Sequence, residues 1–234
     1  MGPITEAFVT SLELLLTGDS ELVRVVLLSL RVSLSAVLLA ALIGMPLGAL
    51  LALVRFPGRG ILIVLLNACM GLPPVVVGLV VYLLLSRAGP LGHLGLLFTP
   101  TAMVIAQAVL VTPIVAALTR QTVADLEAEY REQLASLNVG PLRAVPTLLW
   151  DARLSLATAL LAGFGRAVAE VGAVMIVGGN IAGVTRVMTT TIALETSKGN
   201  LPLALGLGFV LVLVAVAVNA GSSLLQAMAG RAQL

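Results

Sequence analysis

Charge is scarce in this sequence. Only 10% of its 234 residues are Asp, Glu, Lys or Arg, and 59% are hydrophobic; soluble chains carry roughly 25% charged residues. With a mean hydropathy of +1.14, an ordinary soluble domain is excluded. A net charge of +2 without a basic stripe excludes a nucleic-acid footprint. Cys69 is the one cysteine, so no intramolecular disulfide can form. Its place in an apolar run reads as a buried, inert thiol. One histidine, His93, leaves no His/Cys metal cluster within a protomer. There is no phosphate-cradling Walker A loop, no His-Glu-x-x-His and no Gly-x-Ser-x-Gly. An intramembrane protease would want a Ser/His pair or two Asp inside spans, but His93 lies in a loop and Asp125 and Asp151 lie in the polar stretch. The first residues lack a basic n-region and carry Glu6 and Glu13, so no signal cleavage is expected.

What the chain does have is apolar runs longer than the ~18 residues that mark a transmembrane helix. The fold class is all-α and transmembrane, with five expected spans. Ile4, Phe8, Leu12, Leu15 and Leu16 recur at helical spacing, which predicts an amphipathic segment lying on the membrane over residues 1–21. Ser20 is the expected helix start. The spans are expected within Leu22–Val54, then at about 61–85, 98–118, 154–177 and 201–226. The second is interrupted by Gly71-Leu72-Pro73-Pro74, and Gln107 and Pro113 fall inside the third. Residues 183–200 read as a polar connection.

Asp125–Asp151 is the one long polar interval and holds five of the eleven acidic residues. Val123, Leu126, Tyr130, Leu134 and Leu137 share one face at period 3.6, with the acids mostly opposite. Asn138-Val139-Gly140-Pro141 breaks this helix, because Asn and Gly tolerate left-handed backbone and Pro suits a first turn. A second helix carrying Arg143 follows. Pattern alone leaves two readings: a solvated loop with an interfacial helix, or a rigid knob that docks a soluble partner.

The knob resembles the EAA loop of ABC-importer membrane subunits. Glu132 takes the Glu position, Gln133 and Leu134 stand where two alanines would be, and Asn138 where the glycine would be. Val139–Ala144, with Gly140 and Arg143, reads as the usual continuation, and Leu148–Asp151 replaces the Ile-x-Leu-Pro end. Downstream, Gly163–Gly183 (GFGRAVAEVGAVMIVGGNIAG) and Ala193–Gly199 (ALETSKG) resemble the membrane subunit of tungstate importers, kin of the molybdate and sulfate ones. The resemblance implies the importer membrane-domain fold over residues 22–234, as one permease domain with a cytoplasmic coupling loop at about 120–151. It implies a homodimer in the lipid bilayer, an extracytoplasmic oxyanion-binding protein, and a separate cytoplasmic ATP-binding subunit that holds ATP and Mg. This chain itself would bind no cofactor and do no covalent chemistry. The substrate implied is a tetrahedral oxyanion, tungstate first and molybdate second, moved by alternating access. Sulfate or another solute is the near alternative, and an autonomous secondary transporter or channel the distant one.

Four residues are candidates for the translocation pathway. Pro73 and Pro74 remove two backbone donors within the membrane, which either kinks a helix or opens a broken helix onto a cavity. Arg166 and Glu170, four residues apart in an apolar run, share a helix face. They are either a buried structural pair or a pair lining the solute path. Gln107 reads as an interhelical hydrogen-bond partner, Gly178-Gly179-Asn180 as a helix cap, and Gly206 and Gly208 as close-packing positions. For orientation, Arg55, Arg59, Arg120, Arg131, Arg143, Arg153 and Arg231 gather on one side, against Arg87, Arg186 and Lys198 on the other. The positive-inside rule then places the N-terminus outside and the C-terminus in the cytoplasm.

Overall fold

The structure, a computed structural model, describes residues 9–11, 13 and 16–232, with side chains through residue 227. Ile4, Phe8, Leu12 and Leu15 of the expected amphipathic segment lie outside the described residues. Every regular element among the described residues is helical: α1 (Ser20–Leu53), α2 (Arg59–Met70), α3 (Pro74–Leu85), a 3-10 turn (Gly92–Leu94), α4 (Pro100–Ser136), α5 (Pro141–Asp151), α6 (Arg153–Val168), α7 (Gly172–Gly178), α8 (Met188–Lys198) and α9 (Leu201–Ala232).

By length and composition, α1, α4 and most of α9 can each cross a membrane, and two bent pairs raise the count to as many as five. The expected second span is one such pair: α2 and α3 are bent by 102°. Gly71 and Leu72 donate back to the carbonyls of Ala68 and Cys69, closing α2 in a tight last turn. Pro73 then caps α3 with extended backbone, and Pro74 opens it. The other pair is α5 with α6, bent by 75°. The expected fourth span is not continuous. It breaks after Val168, and Glu170 sits in the break. Conversely, no boundary separates the third span from the knob. Helix α4 runs unbroken through Pro113 to Ser136, with Val111 and Val115 fully buried on either side of the proline. That packing holds the helix across the lost hydrogen bond.

The chain's contacts gather into two compact units. The first comprises Met1–Ala36, Pro73–Gln107 and Arg166–Ala217. Here α1 starts at Ser20 as expected, and Asp19 caps it, its carboxylate accepting the N–H groups of Glu21 (3.0 Å) and Leu22 (2.9 Å). Helices α3 and α7 approach so closely that a Cβ on Gly78 would lie 2.7 Å from the Cα of Ala173, and one on Gly172 would lie 2.7 Å from a methyl of Val75. The stretch expected as a polar connection contains α8, whose Thr189, Thr190, Thr191 and Glu195 are buried. Ser29 of α1 accepts the Met188 N–H at 2.7 Å and so fixes where α8 begins.

The second unit comprises Val37–Leu72, Ala108–Gly165 and Val218–Leu234. Gly44 and Gly48, one turn apart on α1, pack on α4. A Cβ on Gly48 would stand 2.4 Å from the Ala116 carbonyl oxygen. Of the two glycines expected to pack closely, Gly206 of the first unit would bring a Cβ 3.4 Å from a Leu22 methyl, whereas Gly208 has nothing within 4 Å. Arg59 donates to the carbonyls of Leu51 (2.7 Å) and Ala52 (3.0 Å) and satisfies the end of α1. Cys69 is half-exposed rather than buried, because α2 buries none of its residues within the protomer.

Candidate functional site

Two regions carry the residues singled out by the sequence. The knob belongs to the second unit. Its core is Ala49 of α1, Val123 of α4, and Ala144 and Leu148 of α5, all buried. Leu126, Tyr130, Leu134 and Val139 pack against it. Four of the five residues on the expected apolar face thus point inward. The fifth, Leu137, is 73% exposed, because the helix ends there. Asn138 has φ +53° and donates to the Ala135 carbonyl at 3.1 Å, while Val139 donates to Leu134 at 3.0 Å. This double closure with a left-handed residue after the last turn is a Schellman ending, and its usual apolar contact is supplied by Leu134 and Val139. Gly140 caps α5 in extended backbone, and Pro141 takes the first helical position.

The consequence is a rigid tip with its side chains sorted. Glu132, Gln133, Asn138, Gly140 and Arg143 are exposed, as are Leu142 and Trp150. Leu134, expected among them, is a packing residue of the knob's own core. Gly140 has φ −70° and open space where a Cβ would stand, so the fold itself does not need glycine there. At the other end of α5 from the tip, a groove of about 670 Å³ is lined by Asp125, Glu129, Tyr130, Asp151 and Arg153. Arg153 donates to the Trp150 carbonyl at 2.9 Å and its guanidinium lies 5.2 Å from the Trp150 ring centre. The groove's open face is therefore dominated by carboxylates.

The second region lies in the first unit, around Glu170. The carboxylate receives Arg166 at 2.5 Å and the Ala173 N–H at 3.1 Å. The backbone carbonyl of Glu170 accepts the Thr189 hydroxyl at 2.7 Å. Gln107 donates to the Ala167 carbonyl at 2.9 Å, which also accepts the Glu170 N–H at 3.2 Å in the turn that ends the helix. Arg166 and Glu170 do pair, but not along one helix face. Glu170 has left the helix and serves as the N-terminal acceptor for α7. Its side chain is 4% exposed and that of Arg166 37%, so the anion is sealed and the cation reaches outward. The α3 start comes to the same place, since a Cβ on Gly172 would lie 2.7 Å from a methyl of Val75 and 3.7 Å from Glu170 Oε1. Pro74 is half-buried and Pro73 exposed. The four pathway candidates are thus brought together where α3 and α7 both begin.

Thr189 and α8 were missed by sequence reasoning. The one available signal was the run Thr189–Thr191, three adjacent hydroxyls in an otherwise apolar neighbourhood. Gly178-Gly179-Asn180 is the expected cap: Gly179 has φ +70° and donates to the Met175 carbonyl. Among the described residues no three His, Cys, Asp or Glu side chains gather as a metal would require. Near the α8 end, Glu195 is bound by Lys198 (2.7 Å) and Asn200 (2.9 Å). The Lys198 hydrogen bond first and the Asn200 one second hold its carboxyl below the usual range, against the opposing effect of burial.

An apolar helical chain with a rigid charged knob and broken helices is an architecture for moving a solute, and comparison identifies which one. Residues 44–233 match the family of binding-protein-dependent transport system inner membrane components. The chain belongs to that family. This permease is 41% identical over 217 residues, 93% of its own length and 95% of its relative's, to the tungstate uptake system permease protein TupB of Peptoclostridium acidaminophilum. It is 39% identical over 204 residues to a probable anion ABC transporter permease protein of Haloferax volcanii, covering 85% and 88% of the two chains. A second tungstate uptake permease, from Campylobacter jejuni, is 37% identical over 196 residues, with 84% and 82% covered. The permease is the membrane component of an ABC importer. Its family works with an ATPase and a substrate-binding protein.

Proposed function

We propose that this permease forms the membrane path of an ATP-driven tungstate importer, with molybdate the next substrate in rank. The observation that carries this reading is similarity over nearly the whole chain to tungstate permeases, joined to a knob that presents its charged residues on a rigid core. Two copies form the pathway. A separate cytoplasmic subunit binds ATP and Mg, and an extracytoplasmic protein delivers the oxyanion. Glu132, Gln133, Asn138, Gly140 and Arg143 meet the ATPase, and the carboxylate-lined groove accepts its basic side chains. ATP closes the partner subunits, the knobs move and the helices rock, exposing the path alternately to each side. The Arg-rich end carrying the knob faces the cytoplasm, with the N-terminus outside. Arg166 attracts the anion while Glu170 tempers that attraction and permits release.

Uptake in cells lacking their own oxyanion importers tests this, with the permease, its ATPase and its binding protein expressed together. Tungstate uptake should require all three, and excess sulfate should not compete. Competition by sulfate would reassign the substrate, and uptake without the ATPase would identify an autonomous transporter. Glu132→Lys and Arg143→Glu should reach the membrane at normal levels yet retain the ATPase poorly. Normal retention and uptake in both, and in the double variant, would remove the coupling role.

A further inference from the structure

Arg31 lies two helical turns from Arg24, well inside α1, on a stripe that is otherwise apolar: Leu27, Leu34 and Leu38 beside it are 61%, 54% and 57% exposed. Arg24 has a partner, the Gly183 carbonyl at 2.6 Å, and Arg186 has one in Glu21 at 3.5 Å. The exposed guanidinium of Arg31 makes no hydrogen bond or ion pair among the described residues. It opens instead onto a cavity of about 390 Å³, which it lines with Ser35, Thr101, Leu28, Val32 and Val104. Among the described residues no carboxylate lines this cavity.

Its two hydroxyls are also uncommitted. Elsewhere in these helices hydroxyls bond back to the carbonyl four residues earlier, as Thr112 does to Ala108 (2.7 Å) and Thr122 to Leu118 (3.0 Å). Ser35 occupies the same kind of position, one turn after Arg31, and makes no such bond; neither does Thr101, in the first turn of α4. One permanent cation and two hydroxyl donors thus face one cavity whose other described lining residues are apolar. Guanidinium presents planar paired donors that match oxyanions, and charge-assisted bonds in such surroundings are the strong ones.

We propose that this cavity is a binding site for a tetrahedral oxyanion group, held by Arg31 and oriented by Ser35 and Thr101. Two sources share that chemistry. One is the transported oxyanion, and this branch rests on the importer reading above. The other is the phosphate of a membrane phospholipid, its acyl chains lying along Leu27, Leu34 and Leu38, which needs no transport reading.

The test uses the full chain, purified in detergent and again in nanodiscs of zwitterionic phosphatidylcholine. Native mass spectrometry reads co-purifying phospholipid, and calorimetry reads sodium tungstate binding. Arg31→Gln should weaken whichever ligand binds by about tenfold or more, as expected for a charge-assisted hydrogen bond. Arg31→Lys should recover part of it, and Ser35→Ala and Thr101→Ala should each lose a few-fold. Tungstate binding that depends on Arg31 in the delipidated chain assigns the solute. A phospholipid adduct that depends on Arg31, without tungstate binding, assigns the lipid. Because neither readout requires turnover, failure of transport leaves the result standing. Wild-type chain that binds neither ligand better than Arg31→Gln, or binds either equally well in Ser35→Ala, Thr101→Ala and Arg31→Gln, overturns the site.

Discussion

The knob and the Glu170 cluster both hold polar residues in an apolar chain, and they hold them in opposite ways. The knob turns its apolar face inward on Val123, Ala144 and Leu148 and sends Glu132, Gln133 and Arg143 out. Its charged side chains contribute little to its own stability. Even the Arg131–Glu127 pair, at 3.2 Å, is largely exposed, and such a pair stabilises by about 0.3–0.5 kcal/mol. The Glu170 cluster turns its polar groups on one another: Arg166 and Ala173 meet the carboxylate, Thr189 the backbone. There the fold itself rests on those polar atoms. A partner can be recognised by residues the fold does not need. A helix break inside an apolar unit has to be satisfied by residues the fold cannot lose.

The same small substitution should separate the two regions most sharply. Gly78→Ala places a Cβ 2.7 Å from the Ala173 Cα, and backbone cannot yield as a side-chain end can. A loss of about 1–3 kcal/mol and a collapse of folded yield are expected. Gly140→Ala meets open space and should cost only about 0.5–1 kcal/mol through a poorer cap. Size-exclusion chromatography after graded heating reads both, and equal losses would erase the contrast.

Next come Arg166→Gln and Glu170→Gln. Breaking a well-buried pair costs about 3–5 kcal/mol, but Arg166 is partly exposed, so roughly 1–3 kcal/mol is expected for Arg166→Gln, which strands the sealed carboxylate, and less for Glu170→Gln, whose stranded guanidinium reaches outward. If the pathway role holds, the double variant regains folded yield without regaining uptake. Joint recovery of yield and uptake would make the pair purely structural.

At the knob's turn, Asn138→Gly should leave stability and transport intact. Asn138→Val puts a β-branched residue at φ +53° and should cost about 1–2 kcal/mol. Equal behaviour of the two would detach the turn's backbone from its function.

The mildest effect concerns pH and Glu195. The hydrogen bonds from Lys198 and then Asn200 hold its carboxyl below the usual carboxylate range when folded, so its stabilisation is present above the unfolded value and disappears as pH falls through the folded one. The thermal midpoint of wild type should exceed that of Glu195→Gln at neutral pH, and the gap should close in strong acid. A gap that persists there would assign the contribution of Glu195 to packing.

Much of the knob was legible in the sequence because each feature is local. Asn138 adopts left-handed backbone and Pro141 opens a helix for reasons contained within a few residues, and the period of Val123, Leu126, Tyr130 and Leu134 reports its buried face directly. Leu137 departs from that face because the periodicity of the sequence continues past Ser136, where the helix stops. The Glu170 cluster was legible only as a pair. Spacing of four residues implied one helix face, whereas the helix ends before Glu170.

Composition alone determined that the chain is helical and apolar enough for a membrane, since an uninterrupted apolar run in hydrocarbon must satisfy its backbone within the segment. Motif resemblance pointed to the importer family. Tertiary structure alone decided that Thr189 and Gln107 close the broken fourth span, that Gly78 and Gly172 let α3 and α7 meet, and that Arg31 faces a cavity. Those facts join residues tens of positions apart, and in a chain so uniformly apolar no local pattern distinguishes the face that packs from the face that waits for a partner.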